Sequence, residues 1–264
     1  MSRKMDEIIK TIFGGTQDVW YNDNFYKVIE SCKNCKLIED ISKKTKELCY
    51  PIPHYPLHQE KRYRITPARL KAICQEQEKN SKGAREEAVE RYIMKANGDE
   101  LCNQWPVGNQ KECVDLVYIN ENNEYSLIEL KIARKDETKA DSPLYAFIES
   151  IKNYCLVQNM NKKHHKNFKI NELIILATKT YFEKIYKFDN EKFGNFISLI
   201  ENFNKNNNII FKLFYIDIEE EILMENIIKH ENLENEDKHI RCIPCVKKGN
   251  WKEIDNNNWD KLCN

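Results

Sequence analysis

Two apolar, β-favouring runs, residues 113–119 and 125–133, are separated only by the polar residues 120–124. Both runs are rich in Val, Ile, Leu and Tyr, and a short polar cluster between two such runs is typical of a β-hairpin. Two further runs, residues 173–177 and 209–218, are also interpreted as strands, and the first is continuous enough to be buried on both faces. The chain must therefore build its core around a sheet.

Helical segments alternate with these strands. Three segments have the 3.6-residue period of amphipathic helices: residues 84–96, 143–158 and 193–203. The resulting order predicts an α/β protein with a central mixed β-sheet flanked by helices. We divide the chain accordingly into a mainly helical N-terminal extension (1–80), the core (81–218) and a C-terminal extension (219–264).

Composition and short motifs exclude several classes of protein. Lys+Arg and Asp+Glu are 42 each, so the formal net charge is zero and nucleic acid must be met by a local patch. None of the 7 glycines belongs to a dinucleotide fingerprint or a P-loop, and the G-x-S-x-G and H-E-x-x-H motifs are absent. With no apolar stretch of ~18 to 20 residues and no export signal, we expect a cytoplasmic protein without a membrane partner.

Three ionisable residues interrupt the strands of the hairpin. Asp115 lies in the middle of the first strand, and the strand period of two places Glu129 and Lys131 on one face of the second. Such groups need partners, because unpaired charge is costly in a core-like strand. One interpretation is an internal ion pair of Lys131. The other is that Asp115 and Glu129 share a divalent cation, which prefers oxygen ligands, while Lys131 acts on an attacking water.

The pattern of Asp115, thirteen intervening residues and then Glu129-Leu130-Lys131 resembles the PD-(D/E)XK nuclease superfamily, although the proline of that name is absent. The resemblance implies a restriction-endonuclease-like core in helix-strand-strand-strand-helix-strand order. It also implies hydrolysis of phosphodiester bonds, with DNA as the expected substrate, dependent on Mg²⁺ or Mn²⁺. Under it, Asp115, Glu129 and the Leu130 carbonyl hold the metal and Lys131 assists the water.

Two helices supply further candidates under the same resemblance. Family members often carry a glutamate on the first core helix, and Glu86 is our choice because it lies at the edge of the apolar stripe. We interpret its neighbours Glu87 and Glu90 as solvated surface residues. The helix after the triplet resembles the supporting helix of the family, and its candidates, which also suit ordinary surface or packing positions, are Glu149, Lys152 and Tyr154.

Cysteines and histidines form two sets that could bind other cofactors. The first approximates a Cys2His2 zinc site with a long spacer and consists of Cys32, Cys35, His54 and His58. The second resembles the iron–sulfur branch of the same superfamily, with wider spacing, and consists of Cys242, Cys245 and Cys263. Unligated, reduced thiols are the preferred interpretation of both sets, since no export signal points to an oxidising compartment.

Two basic runs are candidates for binding a phosphate backbone, although a solvated loop is the ordinary interpretation of each. They are Lys162, Lys163 and Lys166 in one expected loop, and Arg62 and Arg64 in another. We expect nucleic acid as the partner, and DNA rather than RNA. A homodimer is compatible with the sequence. The alternative function is a non-cleaving module on the same fold that binds nucleic acid or protein, with the zinc site in its N-terminal segment.

Overall fold

The structure is a computed structural model, which describes residues 25–33, 36–46, 81–107, 113–133, 142–232 and 244–262. Within these ranges the chain forms a six-stranded mixed sheet and seven α-helices. The predicted α/β class is therefore confirmed. None of the helices described combines the length and the apolar character that crossing a membrane requires.

The elements follow one another along the chain in this order. Helices α1 (Phe25–Lys33), α2 (Leu37–Thr45) and α3 (Ser81–Asn97) precede strands β1 (Leu101–Pro106), β2 (Cys113–Ile119) and β3 (Glu124–Lys131). Then come α4 (Pro143–His164), β4 (Lys169–Thr178), α5 (Lys179–Phe188), α6 (Asn190–Asn206) and β5 (Ile210–Ile216). Helix α7 (Glu220–Asn232) and strand β6 (Lys252–Ile254) complete the set.

The sheet has the strand order β1-β2-β3-β4-β5-β6. Strands β1, β2 and β3 are antiparallel neighbours, as the hairpin pattern predicts. Strands β3, β4 and β5 are parallel, because helices carry the chain back between them, and β6 adds an antiparallel edge. From α3 to β4 the order is helix, three strands, helix, strand. The finer assignment as a restriction-endonuclease-like core remains a prediction.

Two hydrophobic clusters cover the two faces of the sheet. One includes Leu127 of β3 and packs against α1, α2, α4 and α6. The other includes Ile128, Leu130 and Ile132 and packs against α3 and α7. The alternation predicted for β3 is thus confirmed, with Glu129 and Lys131 on the face opposite Ile128, Leu130 and Ile132. The three-segment division of the chain stays a prediction, although the described parts of both extensions share these clusters.

Several element boundaries differ from the sequence predictions. Helix α4 continues to His164, where His165 with φ 51° ends it, so the loop predicted for Lys162 and Lys163 is wrong. Basic residues in a last helical turn interact favourably with the helix dipole, which explains how a polar sequence extends the helix. Strand β1 was not predicted, because its inward residue Asn103 is polar and breaks the apolar alternation. Elements α5, α7 and β6 were also missed.

A buried carboxylate fixes the carboxyl ends of β3 and β4. Oε1 of Glu220 pairs with Nη2 of Arg85 at 2.6 Å. Its Oε2 accepts hydrogen bonds from the backbone N–H of Ala133 at 2.7 Å and from Oγ1 of Thr178 at 3.0 Å. Glu220 therefore ties α7 and α3 to the strand ends that carry the charged residues of the hairpin.

We expect Glu220→Ala to lower the free energy of unfolding by about 3 to 5 kcal/mol, because the buried Arg85 would lose its partner. Urea unfolding of the purified protein measures this effect. Glu225→Ala, on an exposed position of the same helix, is the matched control and should change stability by about 0.5 kcal/mol or less. Equal stability of the two variants would contradict the role given to Glu220.

Candidate active site

Strand β3 carries a buried ion pair near its carboxyl end. Glu129 is 6% exposed and Lys131 is 4% exposed, and Nζ of Lys131 lies 2.5 Å from Oε1 of Glu129. Glu149 of α4 approaches from the side, with Oε2 at 3.8 Å from Nζ of Lys131, and its carboxyl group shares a hydrogen bond with that of Glu129. The lysine therefore faces two carboxyl groups at once.

Asp115 of β2 is half-buried beside this pair. Its Oδ2 accepts a hydrogen bond from the backbone N–H of Leu130 at 2.9 Å. The paired ladder between β2 and β3 ends at Leu116 and Ile128, so the Asp115 side chain takes the place of a backbone acceptor. The structure thus brings the Asp115 carboxylate to the residue that lies between Glu129 and Lys131.

Helix α3 contributes two glutamates one turn apart. Glu86 is half-buried, and its negative charge acts on both Asp115 and Lys131. Glu90 is 4% exposed, and its charge also acts on Asp115. The interpretation of Glu90 as a solvated residue is therefore wrong. A residue four positions after Glu86 lies on the same side of the helix, so the spacing of the two glutamates could have indicated that Glu90 lies near Glu86.

Strand β1 is the reason that Glu90 is buried. Nδ2 of Asn103 donates to Oε1 of Glu90 at 2.7 Å, and Nε2 of Gln104 donates to Oε2 at 2.9 Å. Because β1 was not predicted, the burial of Glu90 by residues of β1 could not be predicted either. Glu87, also interpreted as solvated, is half-buried and forms an ion pair with Arg91.

Helix α4 places its three candidates differently. Lys152 is 2% exposed, and its Nζ lies 3.9 Å from Oε1 of Glu149. Tyr154 is half-buried and packs against the hydrophobic cluster on the α4 face of the sheet. Lys152 and Glu149 therefore belong with the charged residues of the hairpin, whereas Tyr154 belongs to the core.

We call these charged residues the acidic cluster: Glu86, Glu90, Asp115, Glu129 and Glu149, with Lys131 and Lys152. Burial raises the pKa of Asp115 to about 7, and the charge of Lys131 offsets only part of this effect. Burial, followed by the charge of Asp115, raises the pKa of Glu129 to about 7. The acidic cluster has five carboxyl groups and only two lysines, so ionisation of all five carboxyls would leave an excess of negative charge.

Burial and neighbouring charges also shift the pKa values of other members of the acidic cluster. Burial raises the pKa of Glu149 to about 7, with a further increase from the charge of Glu129. Burial also raises the pKa of Glu90 to about 7, although its two amide hydrogen bonds act in the opposite direction. For Lys131, burial lowers the pKa, but the surrounding carboxylates outweigh it and hold the pKa well above its ordinary value. Lys131 is therefore charged at any physiological pH.

The donor chemistry of the acidic cluster suits a hard divalent cation. Carboxylate oxygens with surplus negative charge are the ligands that Mg²⁺ and Mn²⁺ prefer. No set of three or more His, Cys, Asp or Glu side chains in the described ranges is already arranged around a common metal position. A site made of Asp115, Glu129 and the Leu130 carbonyl would need fewer side chains. It would also require Lys131 to move away from Oε1 of Glu129.

We expect the metal-free protein to lose stability as the pH rises from about 5 to about 8. The folded protein holds a proton on Glu149, which donates it in the hydrogen bond to Glu129, up to a pKa of about 7, whereas an unfolded chain releases it near about 4.3. In this window the folded state binds more protons than the unfolded state, so the free energy of unfolding falls with rising pH. Each pKa unit corresponds to about 1.4 kcal/mol for one group.

Mg²⁺ or Mn²⁺ should therefore raise the melting temperature strongly at pH 8 and much less at pH 5.5, because protons compete for the same carboxylates. Differential scanning calorimetry at constant ionic strength, with NaCl replacing the divalent salt in the control, measures both values. A shift of equal size at the two pH values, or none at pH 8, would contradict the metal interpretation of the acidic cluster.

The zinc and iron–sulfur predictions are only partly covered by the described residues. Cys32 lies buried in α1, and burial raises the pKa of its thiol, which disfavours the thiolate that a metal binds. Cys245 is half-buried in a short turn, and burial raises its pKa as well. The partners of these cysteines lie outside the described residues: Cys35, His54, His58, Cys242 and Cys263. Both sites remain predictions.

The described basic run lies far from the acidic cluster. Lys162 and Lys163 are exposed in the last turn of α4, about 20 Å along the helix axis from Glu149 at 1.5 Å per residue, and Lys166 is exposed just after the helix ends. Arg62 and Arg64 lie outside the described residues. The basic run could therefore contact a long substrate such as a duplex, but not the groups that surround Lys131.

Comparison of the chain with protein-family models, with curated proteins and with solved structures found no match. The family resemblance thus rests on the residues of the hairpin and on the order of the elements around them.

Proposed function

We propose that the protein is a Mg²⁺- or Mn²⁺-dependent nuclease that hydrolyses phosphodiester bonds, with DNA as its substrate. The observation that carries this proposal is the meeting of Asp115, Glu129 and Lys131 at one strand end, inside a cluster with excess negative charge. A lysine that only needed a partner in the core would be satisfied by a single carboxylate. Here the surplus carboxylates make the position unfavourable without a further cation, as expected for a functional site.

The residues of the hairpin would divide the work between them. Asp115, Glu129 and the Leu130 carbonyl would hold the cation, which when bound supplies Lewis-acid stabilisation of the phosphate and acidifies a water molecule. Lys131, released from Oε1 of Glu129 and still within reach of Glu149, would orient that water and stabilise the charge that develops on the phosphate. Glu86 would lie further out and hold a second ion or the surrounding solvent.

The exposed lysines at the carboxyl end of α4 and just after it would hold the substrate rather than take part in the chemistry. Contacts of Lys162, Lys163 and Lys166 to phosphates position a nucleic acid without reading its sequence. Each base pair of a DNA duplex occupies about 3.4 Å of the helix axis. The separation of about 20 Å between these lysines and the acidic cluster therefore corresponds to about six base pairs. This supports a substrate that extends well beyond the bond that is cut.

A cleavage panel tests the proposal. The wild-type protein is incubated with labelled single-stranded DNA, double-stranded DNA and RNA in Mg²⁺, in Mn²⁺ and in EDTA. The proposal predicts cleavage of a DNA substrate with either metal and none in EDTA. Binding of nucleic acid without cleavage under all three conditions would instead support the alternative, a non-cleaving module on the same fold.

A further inference from the structure

Gln104 has a positive φ of 50° in the middle of β1. Side chains other than glycine rarely adopt this left-handed conformation, and a strand residue that adopts it interrupts the regular ladder. The other two non-glycine residues with positive φ in the described ranges are Asn123, in the hairpin turn, and His165, at a helix end. Such conformations are common at those two kinds of position, so Gln104 needs a separate explanation.

The interruption lies opposite Asp115. Residues on both sides of Gln104 pair with β2, but the pairing skips Gln104 and Asp115 themselves. On the other side of β2, the ladder with β3 ends at Leu116. In the described strands, Asp115 therefore has no ladder partner on β1 or on β3. Its carboxylate accepts the hydrogen bond from the Leu130 N–H instead.

A carboxylate on α3 holds Gln104 in this conformation. The amides of Asn103 and Gln104 donate to the two different oxygens of Glu90, at 2.7 Å and 2.9 Å. In a regular strand, adjacent side chains point to opposite faces of the sheet and could not both reach one carboxylate. The positive φ of Gln104 turns the two amides to the same side. Because Glu90 is buried, water competes little for these hydrogen bonds.

We propose that Gln104 is a positioning residue for Asp115: tied to Glu90, it keeps β1 from pairing at the position of Asp115 and leaves that carboxylate directed at the Leu130 segment. This inference rests on the proposed function in that Asp115 is taken as a ligand of the cation. A regular ladder at this position would fix the Asp115 backbone to β1, and the pleat of the strand would then set the direction of its side chain.

Two substitutions at Gln104 separate its amide and backbone conformation, taken together, from other effects. The side chain is exposed and lies outside the hydrophobic clusters, and its amide donates to Glu90. Valine strongly opposes a positive φ, whereas asparagine tolerates it and keeps an amide. We expect Gln104→Val to lower the affinity for Mn²⁺, measured by titration calorimetry at pH 8, at least about tenfold. Gln104→Asn should stay within about threefold of the wild type.

Urea unfolding of each variant shows whether it is folded at the assay temperature. If Gln104→Val is not, Gln104→Ala replaces it, since alanine also disfavours a positive φ, and it should lose at least about threefold in affinity. Wild-type Mn²⁺ affinity in the folded valine or alanine variant overturns the inference, as does an equal loss in the asparagine variant.

This titration does not depend on catalysis. A wild-type protein that binds Mn²⁺ but cuts no nucleic acid contradicts the proposed function alone, and the comparison of the Gln104 variants still decides the inference. A wild-type protein that binds no Mn²⁺ contradicts both.

Discussion

Lys131→Met is expected to lower the rate of nucleic-acid cleavage by about 10²- to 10⁴-fold at saturating Mg²⁺, the range typical of a positioned proton-transfer or charge-stabilising group. The ammonium lies 2.5 Å from Glu129 and 3.8 Å from Glu149. It therefore occupies the position from which a group next to the cation could act on water or phosphate. The methionine side chain retains most of the packing volume, and the cleavage assay measures the loss of charge.

The stability of the same variant distinguishes a catalytic Lys131 from a lysine that only forms an ion pair. Without metal at pH 8, Lys131→Met should lower the free energy of unfolding by about 3 kcal/mol or more, because buried carboxylates lose their cation. Mg²⁺ supplies positive charge at the same place and should restore most of the melting temperature. Wild-type cleavage by the variant, or a loss of stability that Mg²⁺ does not restore, would favour the ion-pair interpretation.

Lys212→Met is the matched control for this experiment. Lys212 belongs to the same sheet, is half-buried and forms an ion pair with Glu172 at 2.8 Å, away from the acidic cluster. Its loss should cost about 1 kcal/mol or less, as is usual for a partly exposed pair, and should change cleavage by no more than about twofold.

Asp115→Asn is expected to abolish most cleavage, with a loss of about 10²-fold or more, and to weaken Mn²⁺ binding at least about tenfold. The substitution removes the charge that a divalent cation needs. It keeps the shape of the side chain, and the amide oxygen can still accept the hydrogen bond from the Leu130 N–H. Titration calorimetry with Mn²⁺ and the cleavage assay measure the two losses.

The same variant should be more stable than the wild type in EDTA at pH 8, by about 0.5 to 2 kcal/mol, as is common when a functional site is relieved of strain. The reason is that the charge of Asp115 is one of the causes that raise the pKa of Glu129, so its removal reduces the repulsion within the cluster. Urea unfolding measures this gain.

Glu172→Gln serves as the control for Asp115→Asn. It removes a carboxylate that is paired with Lys212, so it should give no gain in stability, and Mn²⁺ affinity should stay within about threefold. An Asp115→Asn protein with unchanged Mn²⁺ affinity, or with a stability no higher than that of Glu172→Gln, would contradict the metal role of Asp115.

The hairpin and the face shared by Glu129 and Lys131 could be predicted, because a strand period of two and a polar turn are local properties of the sequence. Helices α3, α4 and α6 and strands β4 and β5 were found for the same reason, each having an apolar pattern of its own. Strand β1 was missed because its inward position holds Asn103, whose amide binds a carboxylate on another element. No local pattern identifies a polar residue that is buried by a distant partner.

The sequence predicted the members of the acidic cluster that lie on strands, but not the burial of those that lie on helices. Asp115, Glu129 and Lys131 were found because charge is unexpected in apolar strands. Glu90, Glu149 and Lys152 lie on helices, where charged residues are common, and only tertiary packing decides which of them are buried. Helix periodicity alone did not distinguish Glu90 from a surface residue, since its cover comes from β1.

Anomalous diffraction from crystals grown with Mn²⁺ shows whether Asp115 and Glu129 hold a common cation. We expect one strong manganese peak with carboxylate oxygens of both Asp115 and Glu129 at about 2.0 to 2.3 Å, the Leu130 carbonyl completing the protein ligands, and Nζ of Lys131 displaced from Oε1 of Glu129. Crystals in saturating Mn²⁺ at pH 8 with no peak between these two carboxylates, and with Lys131 still paired to Glu129, would contradict it.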